Sequence, residues 1–153
     1  MNISVKPAEA DDIDAVAAIE AECFSQAWSR QAFADVLYRE DVLLLAAHIG
    51  DEEQAVGYVC MYMAVDEGEI TNVAVKSDHR GLGIADALMD DLIRRGEEHG
   101  IEKIFLEVRE SNKPAIGLYA KKGFEQCGIR KAFYREPTEN ALVMIKDLRK
   151  QKV

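Results

Sequence analysis

The apolar positions of this chain switch between two periods. Behind Asp11 and Asp12, Ile13, Val16, Ile19 and Cys23 recur three or four residues apart, which predicts a helix with acidic residues at its positive end. Ser29 is a good N-cap for a second helix, whose Phe33, Val36 and Leu37 share a face. Between them lies C-F-S-Q-A-W, a loop carrying two large aromatics. The longest helical pattern runs through Ala85, Leu88, Met89, Leu92 and Gly96 and stops at Gly100. A short helix is predicted over 114–122, opening on Pro114 and ending at Gly123. Strand-like runs occupy 2–6, 42–49, 55–64, 69–75, 103–109, 125–134 and 141–146. The turns at Gly50-Asp51 and Asp66-Glu67-Gly68 are short enough for antiparallel hairpins.

The order β-α-α-β-β-β-α-β-α-β-β predicts an α+β fold. Its mixed, mostly antiparallel sheet of about seven strands would carry about four helices on its faces. It does not read as a doubly wound parallel sheet. With no repeat, low-complexity segment or linker, residues 1–153 are expected to form a single domain, and Lys146 to Lys152 a solvated basic end.

Composition narrows the classes of function. Apolar residues make up 48% of the 153, but no run approaches the roughly 20 needed to span a bilayer. The opening M-N-I-S-V-K lacks a basic region followed by an apolar core, so no secretory signal is expected. Cys23, Cys60 and Cys127 are odd in number and widely spaced, which points to a reducing cytoplasm rather than a disulfide framework. The net charge of −9 argues against direct nucleic-acid binding and for a cationic partner such as an amine or a basic peptide. Acidity that merely keeps the chain soluble would look the same. His48, His79 and His99 lack metal-ligand spacing and no C-x-x-C occurs, so no metal is expected. Cys127 has no predictable base beside it and reads as an inert thiol.

Residues 80–85, R-G-L-G-I-A, raise the question of a phosphate site. The G-x-x-x-x-G-K-[ST] string of a Walker loop is absent. In a dinucleotide G-x-G-x-x-G, Gly81 and Gly83 would fit, but Asp86 takes the third glycine position, where a side chain crowds the helix–strand contact. A third reading is a pyrophosphate held by backbone N–H groups at a helix N-terminus, helped by Arg80. A bare glycine loop without a ligand is the plain alternative.

The same stretch fits [Q/R]-x-x-G-x-[G/A] and, lying between a strand and a long helix, resembles the acetyl-coenzyme-A-binding loop of the GNAT acetyltransferases. The resemblance extends over almost the whole chain, and within the family it is greatest to the ribosomal-protein-alanine N-acetyltransferase type. It is carried by F-S-Q-A-W-S with Phe33, by I-T-N-V-A-V, by R-K-A-F-Y, and above all by L-E-V-R-E-S-N-K-P-A-I-G-L-Y-A-K-K-G-F.

The resemblance implies that backbone groups of Val73, Ala74 and Val75 pair with the pantetheine arm. It implies that Arg80, Gly81, Leu82, Gly83, Ile84 and Ala85 wrap the pyrophosphate, and that Asn112 contacts the cofactor where the central strands splay. Glu107 would be the general base and Tyr119 the general acid. Phe24 and Trp28 would wall the peptide groove, with Tyr134 opposite. The implied reaction moves the acetyl group of acetyl-CoA, by direct attack, onto a protein's N-terminal amine. The implied acceptor is the N-terminal alanine of a small-subunit ribosomal protein, whose basic character would suit the acidic chain. A small amine or polyamine as acceptor, or a non-catalytic acetyl-CoA-binding module, are the competing readings.

The chemistry is coherent. An α-amino group titrates near 8, so at neutral pH it needs a proton acceptor, and a carboxylate titrating near 4.3 would serve better once buried. A phenol titrating near 10 could protonate the departing thiolate, and a backbone N–H between 72 and 75 could face the developing oxyanion. Taken singly, each residue also has a plain role. Glu107 could be a solvated strand-end carboxylate, and Tyr119, Phe24 and Trp28 could be packing side chains. Lys121 and Lys122 could reach an adenosine phosphate but read better as a solvated helix end.

Overall fold

In the computed structural model, which describes residues 2–151, seven strands join in one sheet of order β1-β2-β3-β4-β5-β7-β6. The strands are β1 (Ile3–Pro7), β2 (Val42–Ile49), β3 (Gly57–Ala64), β4 (Glu67–Val75), β5 (Lys103–Arg109), β6 (Glu125–Tyr134) and β7 (Glu139–Asp147). The helices are α1 (Ile13–Cys23), α2 (Arg30–Val36), α3 (Ile84–Glu98) and α4 (Lys113–Lys121). Only β4 and β5 pair in parallel; the other neighbours are antiparallel. The predicted element order and α+β class therefore hold.

The central run Val42–Ala47 is apolar without alternation because both faces of the sheet are covered. Leu43, Leu45 and Ala47 pack with Leu88, Met89 and Leu92 of α3, while Val42, Leu44 and Ala46 pack with Val16 of α1 and Phe33 of α2. Ser29 caps α2 as predicted, its Oγ accepting from the Ala32 N–H at 3.1 Å.

Two features of β4 create the site. Its pairing with β5 covers only Glu67–Ile70 against Lys103–Leu106, after which the strands separate and this edge of β4 has no strand partner among the described residues. The register with β3 also slips, Cys60 facing Asn72 and Met61 facing Ile70, so Thr71 is an extra bulged residue. The slip leaves Ile70 in the α3-side core and turns Asn72 toward α1, where its amide meets Glu20.

Four local expectations are corrected. The turn before β4 is tighter than predicted, since Ala64 pairs with Glu67 across Val65 and Asp66. Gly68 belongs to the strand, where a Cβ would come within 2.6 Å of Met61 Sδ; packing, not turn geometry, requires glycine there. Lys146 is not part of a solvated end. It is 3% exposed, and its ammonium donates to the Lys122 carbonyl at 2.6 Å. Desolvation holds that ammonium's pKa below the ordinary lysine value. Leu148, in the closing 3-10 turn, is buried as well, while Lys152 lies outside the described residues. Lys122 is also no free helix end: its ammonium pairs with Asp86 and, at 2.8 Å, with Asp90, while Lys121 reaches Asp86 at 3.2 Å. No helix among the described residues is long and apolar enough to cross a membrane.

Candidate active site

The separation of β4 from β5 opens a cavity of about 620 Å³. Glu107 is the first β5 residue beyond the last paired couple, Ile70 and Leu106, so it stands where the strands divide. Its side chain is 18% exposed, and its carboxylate accepts from Arg130 Nη1 at 2.7 Å. Tyr119 reaches the same cavity from α4 and is 6% exposed, its ring edge-on to Phe124. Burial pushes its phenol well above the ordinary tyrosine value, and the neighbouring Tyr134 adds to the shift. Asn112 lines the cavity and caps α4, its Oδ1 accepting from the Ala115 N–H at 3.3 Å.

Three further elements close the space. The α1–α2 loop contributes Phe24, 41% exposed, and Trp28, which packs on Phe33 at 5.2 Å between ring centroids and lies edge-on to Tyr62. Trp28 is thus both core and wall. The end of β6 brings Phe133 and Tyr134. Adjacent strand residues normally face opposite ways, but a register slip between Arg130 and Tyr134, with Ala132 at φ +51°, brings both to one cavity. Tyr134 is pushed up to about 12 by burial and then by the Glu107 carboxylate. Arg109 stacks on the Tyr134 ring at 4.5 Å and donates to the carbonyls of Arg135 and Pro137, which ties the β6–β7 turn to β5.

The R-G-L-G-I-A stretch lies where β4 leads into α3. Gly81 and Gly83 have φ of +78° and +85°, and Gly83 is the N-cap of α3. A Cβ built on either meets no atom within 4 Å, so open space adjoins the helix N-terminus and its unpaired N–H groups. That cradle, which follows β4 after a 3-10 turn at Ser77–His79, fits a pyrophosphate bound through main-chain donors. The Arg80 side chain points elsewhere, with Nε to the Val75 carbonyl at 3.4 Å and Nη2 to Cys23 Sγ at 3.2 Å.

The cavity thus gathers Phe24, Trp28, Val73, Glu107, Asn112, Tyr119 and Tyr134 of the predicted residues. Ala74 and Val75 continue β4 beyond that lining, and the six cradle residues, which also do not line it, follow after the Ser77–His79 turn. Sequence reasoning missed Glu20, Arg109, Phe133 and the side chain of Asn72, all in the lining. Glu20 did leave a signal: it falls seven residues after Ile13 and four after Val16, a charge on an apolar stripe. No group of three His, Cys, Asp or Glu side chains among the described residues is arranged to hold a metal.

The sequence profile of the Acetyltransferase (GNAT) family matches residues 13–124. A Bacillus subtilis protein with the provisional name ribosomal protein bS18-alanine N-acetyltransferase is 35% identical over 144 residues, spanning 92% of this chain and 93% of its own. The crystal structure of the ribosomal-protein-S18-alanine N-acetyltransferase from Escherichia coli superposes with a TM-score of 0.86 at 28% identity, covering 96% of this chain and 94% of that one. Arabidopsis thaliana NAA60, crystallised with acetyl-CoA, shares the fold with a TM-score of 0.87 at 19% identity, covering 97% and 99%.

Proposed function

Because the chain belongs to the GNAT acetyltransferase family, we propose that it acetylates the N-terminal alanine of ribosomal protein bS18, using acetyl-CoA. The observation that carries the reading is the meeting of Glu107 and Tyr119 in one cavity at the β4–β5 divide, with an anion cradle at the end of β4.

When bound, acetyl-CoA supplies a thioester carbonyl as electrophile. The chain's own groups do the rest. Main-chain N–H groups of the Gly81–Ala85 turn and the α3 N-terminus hold the pyrophosphate. The free edge of β4 from Val73 to Val75 pairs with the extended arm, and one of its N–H groups faces the oxygen on which negative charge develops. Glu107 draws in the acceptor's ammonium and takes its proton, directly or through water. Arg130 holds the Glu107 carboxylate at the mouth of the divide. Tyr119 stays protonated because burial opposes its ionisation. As the C–S bond breaks it passes its proton to the departing sulfur, and the proton lost by the newly acylated nitrogen restores the phenol through water. Phe24, Trp28 and Tyr134 flank the acceptor's first residues. The net charge of −9 favours a basic acceptor peptide. The three cysteines, all free thiols, suit action in the cytoplasm.

The test is an acceptor screen with purified protein and acetyl-CoA, comparing bS18-derived peptides that differ in their first residue with polyamines. Preference for the Ala-initiated peptide is expected. Transfer to polyamines alone would overturn the reading.

A further inference from the structure

The acceptor end of the cavity rests on a buried carboxylate to which the mechanism gives no work. Glu20, on α1, is 2% exposed, yet donors from three other segments converge on it. The Trp28 main-chain N–H reaches Oε2 at 2.9 Å, and the Tyr58 hydroxyl donates to Oε1. Asn72 Nδ2 approaches both oxygens, at 3.2 and 3.1 Å. A carboxylate can only accept, so the Asn72 amide must present its NH2 to Glu20. Its Oδ1 then becomes the single buried side-chain nitrogen or oxygen without a partner among the described residues.

This arrangement is costly for stability alone. A buried carboxylate loses several kcal/mol of hydration, and apolar side chains of similar volume commonly pack as stably as such clusters. Nor is Glu20 free to act as a second base, because both of its oxygens are occupied by donors. What the cluster does join is specific. It links the aromatic loop through Trp28 to the bulged part of β4 through Asn72, two walls of one cavity that no backbone–backbone hydrogen bond joins among the described residues.

We propose that Glu20 is a positioning residue for the acceptor: by holding the Trp28 N–H and the Asn72 amide, it sets the loop that receives the acceptor's first residues. The proposal rests on the acetyltransferase reading above. It concerns hydrogen-bonding reach, not charge, and two conservative variants separate those. Glu20→Asp keeps the charge but withdraws the oxygens by one methylene. Glu20→Gln keeps the reach: its carbonyl can accept from the Trp28 N–H, while the Asn72 amide turns over to accept from the new NH2.

Steady-state kinetics with the Ala-initiated peptide, together with emission of Trp28, the chain's one tryptophan, read the outcome. Glu20→Asp should raise the peptide KM about tenfold or more, leave the acetyl-CoA KM within about twofold, and shift Trp28 emission to the red. Glu20→Gln should recover most of the peptide affinity and the wild-type emission. Wild-type KM and emission in Glu20→Asp would overturn the proposal. So would a Glu20→Gln loss as large as that of Glu20→Asp, or an acetyl-CoA KM rising in step with the peptide's. Should the wild-type protein acetylate no peptide, the functional reading fails by itself, and Trp28 emission and acrylamide quenching in the two variants still decide the positioning role.

Discussion

On the proposed donor side, Arg80 to Ala85 are six consecutive residues that would bind through main-chain groups, with two left-handed glycines and the end of one helix. On the proposed acceptor side, Glu20, Trp28, Asn72, Phe133 and Tyr134 come from α1, its following loop, β4 and β6, and their side chains line one cavity. A backbone cradle tolerates many side chains as long as its dihedral angles survive. A wall assembled from separate elements depends on every residue that fixes their spacing. The proposed mechanism places its chemistry at the boundary, where Glu107 stands at the parting of two strands. If the division is real, variants on the two sides should change different kinetic constants.

The largest effect is expected at the boundary. Glu107→Gln should lower turnover by about a hundredfold or more, within the usual range for losing a general base, while acetyl-CoA affinity by calorimetry stays within about twofold. Near-normal turnover would remove Glu107 from the base role and leave the boundary without its chemistry. Gly83→Ala comes next. No atom obstructs the new methyl, but φ +85° strains a non-glycine residue by about 1 kcal/mol or more, and the methyl points into the open cradle. Acetyl-CoA should bind about tenfold more weakly by calorimetry, with the peptide KM at saturating acetyl-CoA unchanged. That is the mirror image of the result expected for Glu20→Asp. A Gly83→Ala variant that moved the peptide KM instead would break the comparison.

The smallest effect lies away from both sides. Burial holds the Lys146 pKa below its unfolded value near 10.4. Between the two values the unfolded chain binds more protons than the folded one, so stability from this group rises with pH across the alkaline range up to about 10.4. Lys146→Met should flatten that rise, seen as a smaller gain in Tm between about pH 8 and 10, and leave both KM values untouched.

Much of the fold was legible because it follows from periodicity. The apolar stripes of α1 and α3, the Ser29 cap, and the glycine stops each act within a few residues of themselves. The misreadings share one cause, which is that a distant neighbour decided the environment. Lys146 occupies the same alternating face of β7 as Met144 and continues toward Leu148, so the pattern marked it as inward, but its charge suggested an exposed tail. The Lys122 carbonyl, together with the charge of Glu97, makes its burial tolerable. Gly68 resembled a turn glycine until Met61 proved to lie against it. Family resemblance singled out Glu107 and Tyr119 together, and both line one cavity. Phe133 was not singled out, because its direction depends on a bulge that no local pattern announces.

The R-G-L-G-I-A cradle lies entirely within one short segment, so the sequence by itself determined it, together with the element order and the two-sided burial of β2. Tertiary structure decided where β4 and β5 part, that β7 would insert between β5 and β6, and that Glu20 would meet Trp28, Tyr58 and Asn72. The physical reason is range. Dihedral preference and side-chain periodicity act between neighbours along the chain, whereas a cavity wall exists only after strand pairing has brought remote residues to one place.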